Sequence, residues 1–137
     1  MKNINKLGLG AFFVCALAMS ACAGGAAATA HNSRNSLDWA GTYAGLIPSA
    51  GCMGIEVRLT LNGDSTYVLL YHYVGRENPE YRTTGSFTWD KAGSVVNLDL
   101  RSGPNFYQVG ENMLRQLDLE GKVITGDLAE MYVLRKE

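Results

Sequence analysis

Ile55-Glu56-Val57-Arg58-Leu59-Thr60-Leu61-Asn62-Gly63-Asp64-Ser65-Thr66-Tyr67-Val68-Leu69-Leu70-Tyr71-His72-Tyr73-Val74 is the stretch whose reading decides the fold. Its first part alternates without a break. Ile55, Val57, Leu59 and Leu61 point one way, while Glu56, Arg58, Thr60 and Asn62 point the other. A period of two with one wet face is the signature of a half-buried strand. Asn62-Gly63-Asp64 then supplies turn chemistry, and Gly63 is expected to take the positive φ of a tight hairpin. Beyond the turn, Tyr67, Leu69, Tyr71 and Tyr73 share one face, and Val68, Leu70, His72 and Val74 the other. Both faces are largely apolar, which predicts a strand that is central or well covered.

The same pattern repeats outward from this hairpin. Trp39 to Ile47 reads as a strand before it. After it come Tyr81 to Trp89, Val95 to Leu100, Phe106 to Val109, Met113 to Leu119 and Met131 to Leu134. Phe87 and Trp89 share a face, and Gly85 marks a bulge or a close approach of another group. Val96, Leu98 and Leu100 are expected inward. Met113, Arg115, Leu117 and Leu119 fall on one side of the seventh strand. Turn signals stand between the strands: Gly75 to Glu80 with Pro79, Asp90-Lys91-Ala92-Gly93, Ser102-Gly103-Pro104-Asn105, and Glu120-Gly121-Lys122. No stretch has helical periodicity. The expectation is an all-β domain of about eight short antiparallel strands. Consecutive hairpins favour an up-and-down barrel, because closure removes exposed edges.

The start of the 137-residue chain reads as an address, not as fold. Lys2 and Lys6 form a short positive region, followed by an uncharged apolar run from Leu7 to Met19. That run has the length of a signal-peptide core and is short for a membrane span. Met19-Ser20-Ala21-Cys22 resembles a bacterial lipobox, with Met where Leu is usual. The expected division is a lipoprotein signal peptide over 1–21, lipid attachment at Cys22, a flexible tether over 22–36 and a folded domain over 37–137. The competing reading is an ordinary secretory signal cleaved within Ala21 to Ala30. Ala23, where Asp would resemble an inner-membrane retention signal, directs the expectation to the outer membrane, lipid-anchored on its periplasmic side. Each buried methylene of an acyl chain such as palmitate contributes about 0.8 kcal/mol to that anchoring.

Composition narrows the partners. Without residues 1–21, ten basic side chains face thirteen acidic ones, a net charge of −3. No basic patch for nucleic acid is present in the sequence. Cys15 leaves with the signal and Cys22 is expected to carry lipid, so Cys52 is the remaining thiol and no internal disulfide is expected.

The connector between the first two strands carries a resemblance. Gly41-Thr42-Tyr43-Ala44-Gly45-Leu46-Ile47-Pro48-Ser49-Ala50-Gly51-Cys52-Met53-Gly54-Ile55 resembles the start of the NlpE N-terminal-domain family of envelope-stress and copper-resistance lipoproteins. Leu59 to Tyr67, Gly85-Ser86-Phe87-Thr88-Trp89, Phe106 to Gly121 and Tyr132 to Lys136 fit later family motifs in order. The resemblance implies a small lipocalin-like antiparallel barrel. It also implies an envelope protein partner, a role in envelope stress or copper tolerance, and no enzymatic activity. The sequence departs from the family at the loop. Ser49 stands where the family has its first cysteine and Gly51 where it has aspartate, so Cys-x-x-Cys is reduced to Ser49-x-x-Cys52. The second, C-terminal domain of longer family members is not expected here.

Two sets of side chains are candidate sites. Cys52 and Met53 offer soft sulfur suited to Cu(I), with His72, Met113 and Met131 as further ligands if the fold brings them near. The alternative is a loop thiol and core-filling methionines. Tyr71 and Trp89, with Tyr67, Tyr73, Phe87, Phe106 and Tyr107, could line a pocket for a small apolar ligand carried inside the barrel. The alternative is an interior filled by these side chains. No nucleophile–base pair, metal-protease motif or phosphate loop is legible, and His31 reads as a solvated linker residue.

Overall fold

A computed structural model describes residues 31–77 and 80–137. The signal peptide, Cys22, the tether as far as residue 30, and Pro79 lie outside the described residues. Eight strands form one closed antiparallel barrel: β1 Gly41–Ile47, β2 Ile55–Leu61, β3 Thr66–Tyr73, β4 Tyr81–Trp89, β5 Val95–Leu98, β6 Phe106–Gly110, β7 Met113–Gln116 and β8 Val133–Lys136. Each strand pairs with its sequence neighbour, and β8 returns to β1 through Tyr43↔Lys136 and Ala44↔Arg135. The up-and-down barrel expected from the hairpin spacing is the fold.

The alternation in β2 explains why the sheet closes. Val57, Leu59 and Leu61 are buried while Glu56 and Arg58 are exposed. The inward set is completed by Tyr43, Tyr67, Leu69, Phe87, Val96, Leu98, Tyr107, Leu114 and Leu134. These side chains fill the interior from all sides. Burying one such aliphatic or aromatic side chain stabilises the fold by about 1.5–3 kcal/mol. β3 is central, laddered to β2 on one side and β4 on the other, while its outer face, Val68, Leu70 and His72, is only partly covered. In a closed barrel of this size one face meets the core and the other meets water or loops.

Three hairpin turns share one device. Asn62, Asp90 and Asp118 open them, and the fourth residue donates its N–H back to the opening carbonyl: Ser65 to Asn62 at 3.1 Å, Gly93 to Asp90 at 3.0 Å and Gly121 to Asp118 at 3.0 Å. The fourth residue is left-handed in each, with φ of 67° at Ser65, 71° at Gly93 and 80° at Gly121. Gly63 therefore does not carry the positive φ in the β2–β3 turn, contrary to expectation; Ser65 does. The Asp64 carboxylate accepts from the Thr66 N–H and hydroxyl and holds that conformation.

Four other expectations change. Residues 33–36 are not free tether but a single helical turn, α1 Ser33–Ser36, with Asn32 as its cap. The Ser33 hydroxyl donates to the Val109 carbonyl at 2.6 Å and the Arg34 N–H to the Gly93 carbonyl at 3.0 Å, docking the turn on the end of the barrel. Trp39 lies beyond β1 and plugs the same end, edge-to-face on Phe87 and Trp89. On the seventh strand Leu114 faces inward while Met113 and Arg115 face out; the strand ends at Gln116, Leu117 is buried and Leu119 is exposed. Finally, Met131 lies in a 3-10 turn, Ala129–Tyr132, and the last strand starts at Val133.

The barrel is unequal around its circumference. β3 pairs with β4 from Thr66↔Ser86 to Tyr71↔Tyr81, but β4 meets β5 only at Phe87, Thr88 and Trp89. At the point of parting, Asp99 turns its carboxylate back. One oxygen accepts from the Tyr67 hydroxyl at 3.0 Å, and the other from the Ser86 N–H at 3.1 Å. The Asp99 N–H itself donates to the Ser86 carbonyl at 3.1 Å. Gly85 is required here: a Cβ at this position would overlap the Asp99 carboxylate and lie 2.9 Å from the Tyr67 hydroxyl. The close approach expected at Gly85 thus has a named cause.

Gly85→Ala is expected to lower stability by about 1–3 kcal/mol in urea unfolding, the range for forcing a methyl into a filled site. Gly63, whose added Cβ meets nothing within 4 Å, is the control. Gly63→Ala is expected to stay within about 0.5 kcal/mol of the parent. Equal effects at the two glycines would contradict this packing.

Candidate functional site

The two ends of the barrel differ. Trp39, α1 and Lys136 close one end, with the Lys136 ammonium 3.4 Å from Asp38 and 5.9 Å from the Tyr43 ring centre. The other end carries the β1–β2, β3–β4, β5–β6 and β7–β8 connections. Its surface is apolar in places: Met53, Tyr81, Leu119, Val123, Leu128 and Met131 are all exposed there.

The β1–β2 loop belongs to this second end. Gly54 is buried at φ 141°, where an added Cβ would lie 2.8 Å from Leu46. Its carbonyl accepts from the Val74 N–H at 3.0 Å and from the Cys52 thiol at 3.1 Å. Arg76, from the β3–β4 loop, donates to the Gly51 carbonyl at 2.7 Å and ties the two loops together. Cys52 is free and part-buried. The Ser49 hydroxyl hydrogen-bonds to it and holds the thiol below its ordinary pKa, helped by the Gly54 backbone and by the Arg76 charge. Ser49 and Cys52 are thus adjacent in space as well as in the motif.

The other suggested ligands disperse. Met53 is 80% exposed beside Gly75. Met113 lies at the β6–β7 hairpin on the opposite end, against Gly110. His72 faces outward opposite Glu56 and lines a surface cleft of about 450 Å³ with Leu46, Arg58, Leu70 and Glu80. Among the described residues no three His, Cys, Asp or Glu side chains group as metal ligands. For Cu(I), the loop itself supplies two sulfurs, Cys52 and Met53, and one hard oxygen, Ser49.

Tyr71 and Trp89 are not brought together. Tyr71 pairs with Tyr81 near the open end, and Trp89 lies eight residues farther along β4, about 27 Å at strand rise. Trp89 is part of the closed-end aromatic cluster, 6.3 Å from Phe87 between ring centres. The interior between them is filled by Tyr43, Tyr67, Leu69, Tyr107 and their neighbours. Tyr71 belongs instead to a group of phenols. Burial raises its pKa, and burial also pushes Tyr107 well above the ordinary tyrosine value. The buried Tyr107 hydroxyl faces the Tyr71 hydroxyl, which adds to that rise. Tyr67 is pushed up to about 12, first by burial and then by its bond to Asp99.

Sequence reasoning missed Asp99, Asn105 and Arg76. Asp99 alternates with Leu98 and Leu100, which are expected inward, and so draws no notice in the sequence. The signal that could have found it was Gly85, which needs a group pressed against it. Asn105 donates through its amide to the Leu98 and Leu100 carbonyls, both at 2.9 Å, and so bends the chain away from β4.

Residues 43–127 match the family described as NlpE N-terminal domain. The chain belongs to that family. Lipoprotein NlpE of Escherichia coli K12 is 35% identical over 86 residues, covering 61% of this chain and 36% of the relative. The chain therefore spans about a third of that relative's length. A solved lipoprotein structure from Shewanella oneidensis superposes with a TM-score of 0.72 at 44% identity, covering 77% of this chain and 95% of the other. The crystal structure of the Escherichia coli Cpx pathway activator NlpE superposes with a TM-score of 0.53 at 27% identity, covering 64% and 46%.

A depressed thiol pKa is testable by alkylation. With the thiolate stabilised, the pH midpoint of Cys52 alkylation by iodoacetamide lies below that of a free cysteine, near 8.5. Ser49→Ala removes the largest cause and is expected to move the midpoint upward. An unchanged midpoint would show that Ser49 does not act on the thiol.

Proposed function

We propose that this NlpE-family protein is a non-enzymatic lipoprotein of the outer membrane, acting in envelope stress or copper tolerance by contact with an envelope partner. The family match over residues 43–127 carries this reading. The lipobox-like Met19-Ser20-Ala21-Cys22 supports lipid attachment at Cys22. Ala23 supports the outer membrane over the inner.

The polarity of the barrel supports the partner contact. The chain enters at the closed end through α1. Residues 23–31, fully extended, reach about 30 Å. An anchor at Cys22 therefore attaches through the closed end and leaves the open end, with exposed Leu119, Val123, Leu128 and Met131, free to meet a periplasmic partner. Exposed apolar groups gathered on one end mark an interaction surface more often than scattered ones do. Copper contact, in this reading, falls to Cys52 and Met53. The thiolate that Ser49 favours is the form that binds Cu(I).

Two arms of one experiment test the proposal in cells and in purified protein. A radioactive fatty acid is expected to label the parent and not Cys22→Ala. Competition titration is expected to give Cu(I) affinity at least tenfold weaker in Cys52→Ser. Label retained by Cys22→Ala would refute the anchor, and unchanged Cu(I) affinity would remove Cys52 as a ligand.

A further inference from the structure

The parting of β4 from β5 leaves a sheet edge without a partner inside an otherwise closed barrel. The directions of the backbone groups follow from the ladder. The Phe87 N–H donates to the Ser65 carbonyl at 2.9 Å, which makes that pair a hydrogen-bonded one. Hydrogen-bonded and non-bonded pairs alternate along an antiparallel ladder. Gly85, Thr83 and Tyr81 therefore turn their backbone groups toward β3. Ser86, Thr84 and Arg82 turn theirs away. Ser86 is satisfied by Asp99. Continuing the β4–β5 register would place Thr84 opposite Arg101, but the chain has left the sheet there, drawn off by Asn105. Among the described residues, the Thr84 and Arg82 backbone groups have no strand beside them.

A cleft of about 390 Å³ occupies that place, lined by Thr83, Thr84, Asp99, Leu100, Arg101 and the Tyr67 side chain. Residues 81–84 of β4 are all exposed along it. Natural sheets usually blunt such an edge with prolines, bulges or covering segments. Here the lower part is blunted by the Asp99 carboxylate and the upper part is left open.

We infer that this edge receives an extended peptide of alternating apolar and acidic residues, which adds as a strand beside Arg82–Thr84. The backbone supplies the hydrogen bonds, and alternate side chains supply the choice of partner. Side chains turned inward meet Thr83 and Leu100, which packs against the core. Side chains turned outward meet Arg82 and Arg101. Neither guanidinium has an ion-pair partner among the described residues, whereas Arg58 pairs with Glu137 and Arg115 with Glu130. Glu80 stands beyond Arg82 and limits the acidic segment to the stretch facing the two arginines. Asp99 keeps its charge while accepting from Tyr67 and Ser86, so it likewise confines the acidic side chains to the positions facing the two arginines.

Amide hydrogen exchange by NMR tests this on the full chain in detergent micelles. The probe is a capped octapeptide of alternating aspartate and valine. The control has the same composition in two blocks. At millimolar peptide, exchange of the Arg82 and Thr84 amides is expected to slow at least tenfold, while the β3-bonded amides of Thr83 and Gly85 do not change. Thr84→Pro removes an outward donor without touching the β3 ladder and is expected to abolish the effect. Thr84→Ala is expected to keep it. Retained slow exchange at Thr83 and Gly85 shows that either variant is folded. No protection of Arg82 and Thr84, or equal protection by the block peptide, would overturn the proposal. Protection that rises with protein concentration without peptide would overturn it in favour of a second copy.

Discussion

The Asp99 carboxylate joins the interior wall of this barrel to the point where β4 and β5 part. It accepts from Tyr67 in the interior wall and from the Ser86 backbone, and the space it fills is the space a Gly85 side chain would need. A hydrogen bond to a charged group contributes about 1.5–3 kcal/mol, roughly twice a neutral one. The geometry matters as much as the energy. By capping β4 at Ser86, Asp99 ends the β4–β5 ladder and leaves the outward backbone groups of Thr84 and Arg82 without a strand beside them. Tyr67 lies on β3, Gly85 and Ser86 on β4, and Asp99 just past the end of β5, so the constellation also fixes the relation of β3, β4 and β5.

Around that point the fold rests on ordinary means. Repeated turns opened by Asn or Asp set the hairpin lengths. The alternation of β2 sends its apolar half to an interior shared with every other strand. No disulfide is available to the described residues, and Cys52 stands free. Loop and barrel are coupled at one end only: Gly54, held by Val74 and pressed on Leu46, positions Cys52, and Arg76 draws the neighbouring loop across it. The same end gathers the exposed apolar side chains. The closed end is instead stapled by α1, Trp39 and Lys136.

The barrel was legible in the sequence because its main signals are local. Period two in β2 and turn residues at hairpin spacing are properties of adjacent residues. What was not legible depends on groups far apart in the chain. Ser65, not Gly63, takes the left-handed conformation because Asp64 and Thr66 bond around it. Residues 33–36 look like linker by composition, yet Val109 and Gly93 give them partners. Trp89 and Tyr71 look alike as strand aromatics, but register places them near opposite ends of β4. Cys52 was visible as a lone thiol; that Ser49 bonds to it required the fold of the loop. Gly85 announced a close approach without naming the group that makes it.

A double-mutant cycle on Tyr67→Phe and Asp99→Ala tests most directly whether the Asp99 clamp organises the barrel. Unfolding free energies of the parent, the two single variants and the double variant come from urea titration. A direct bond predicts a coupling of about 1–3 kcal/mol, the double variant losing less than the sum of the singles. Additive losses, within about 0.5 kcal/mol, would contradict the account.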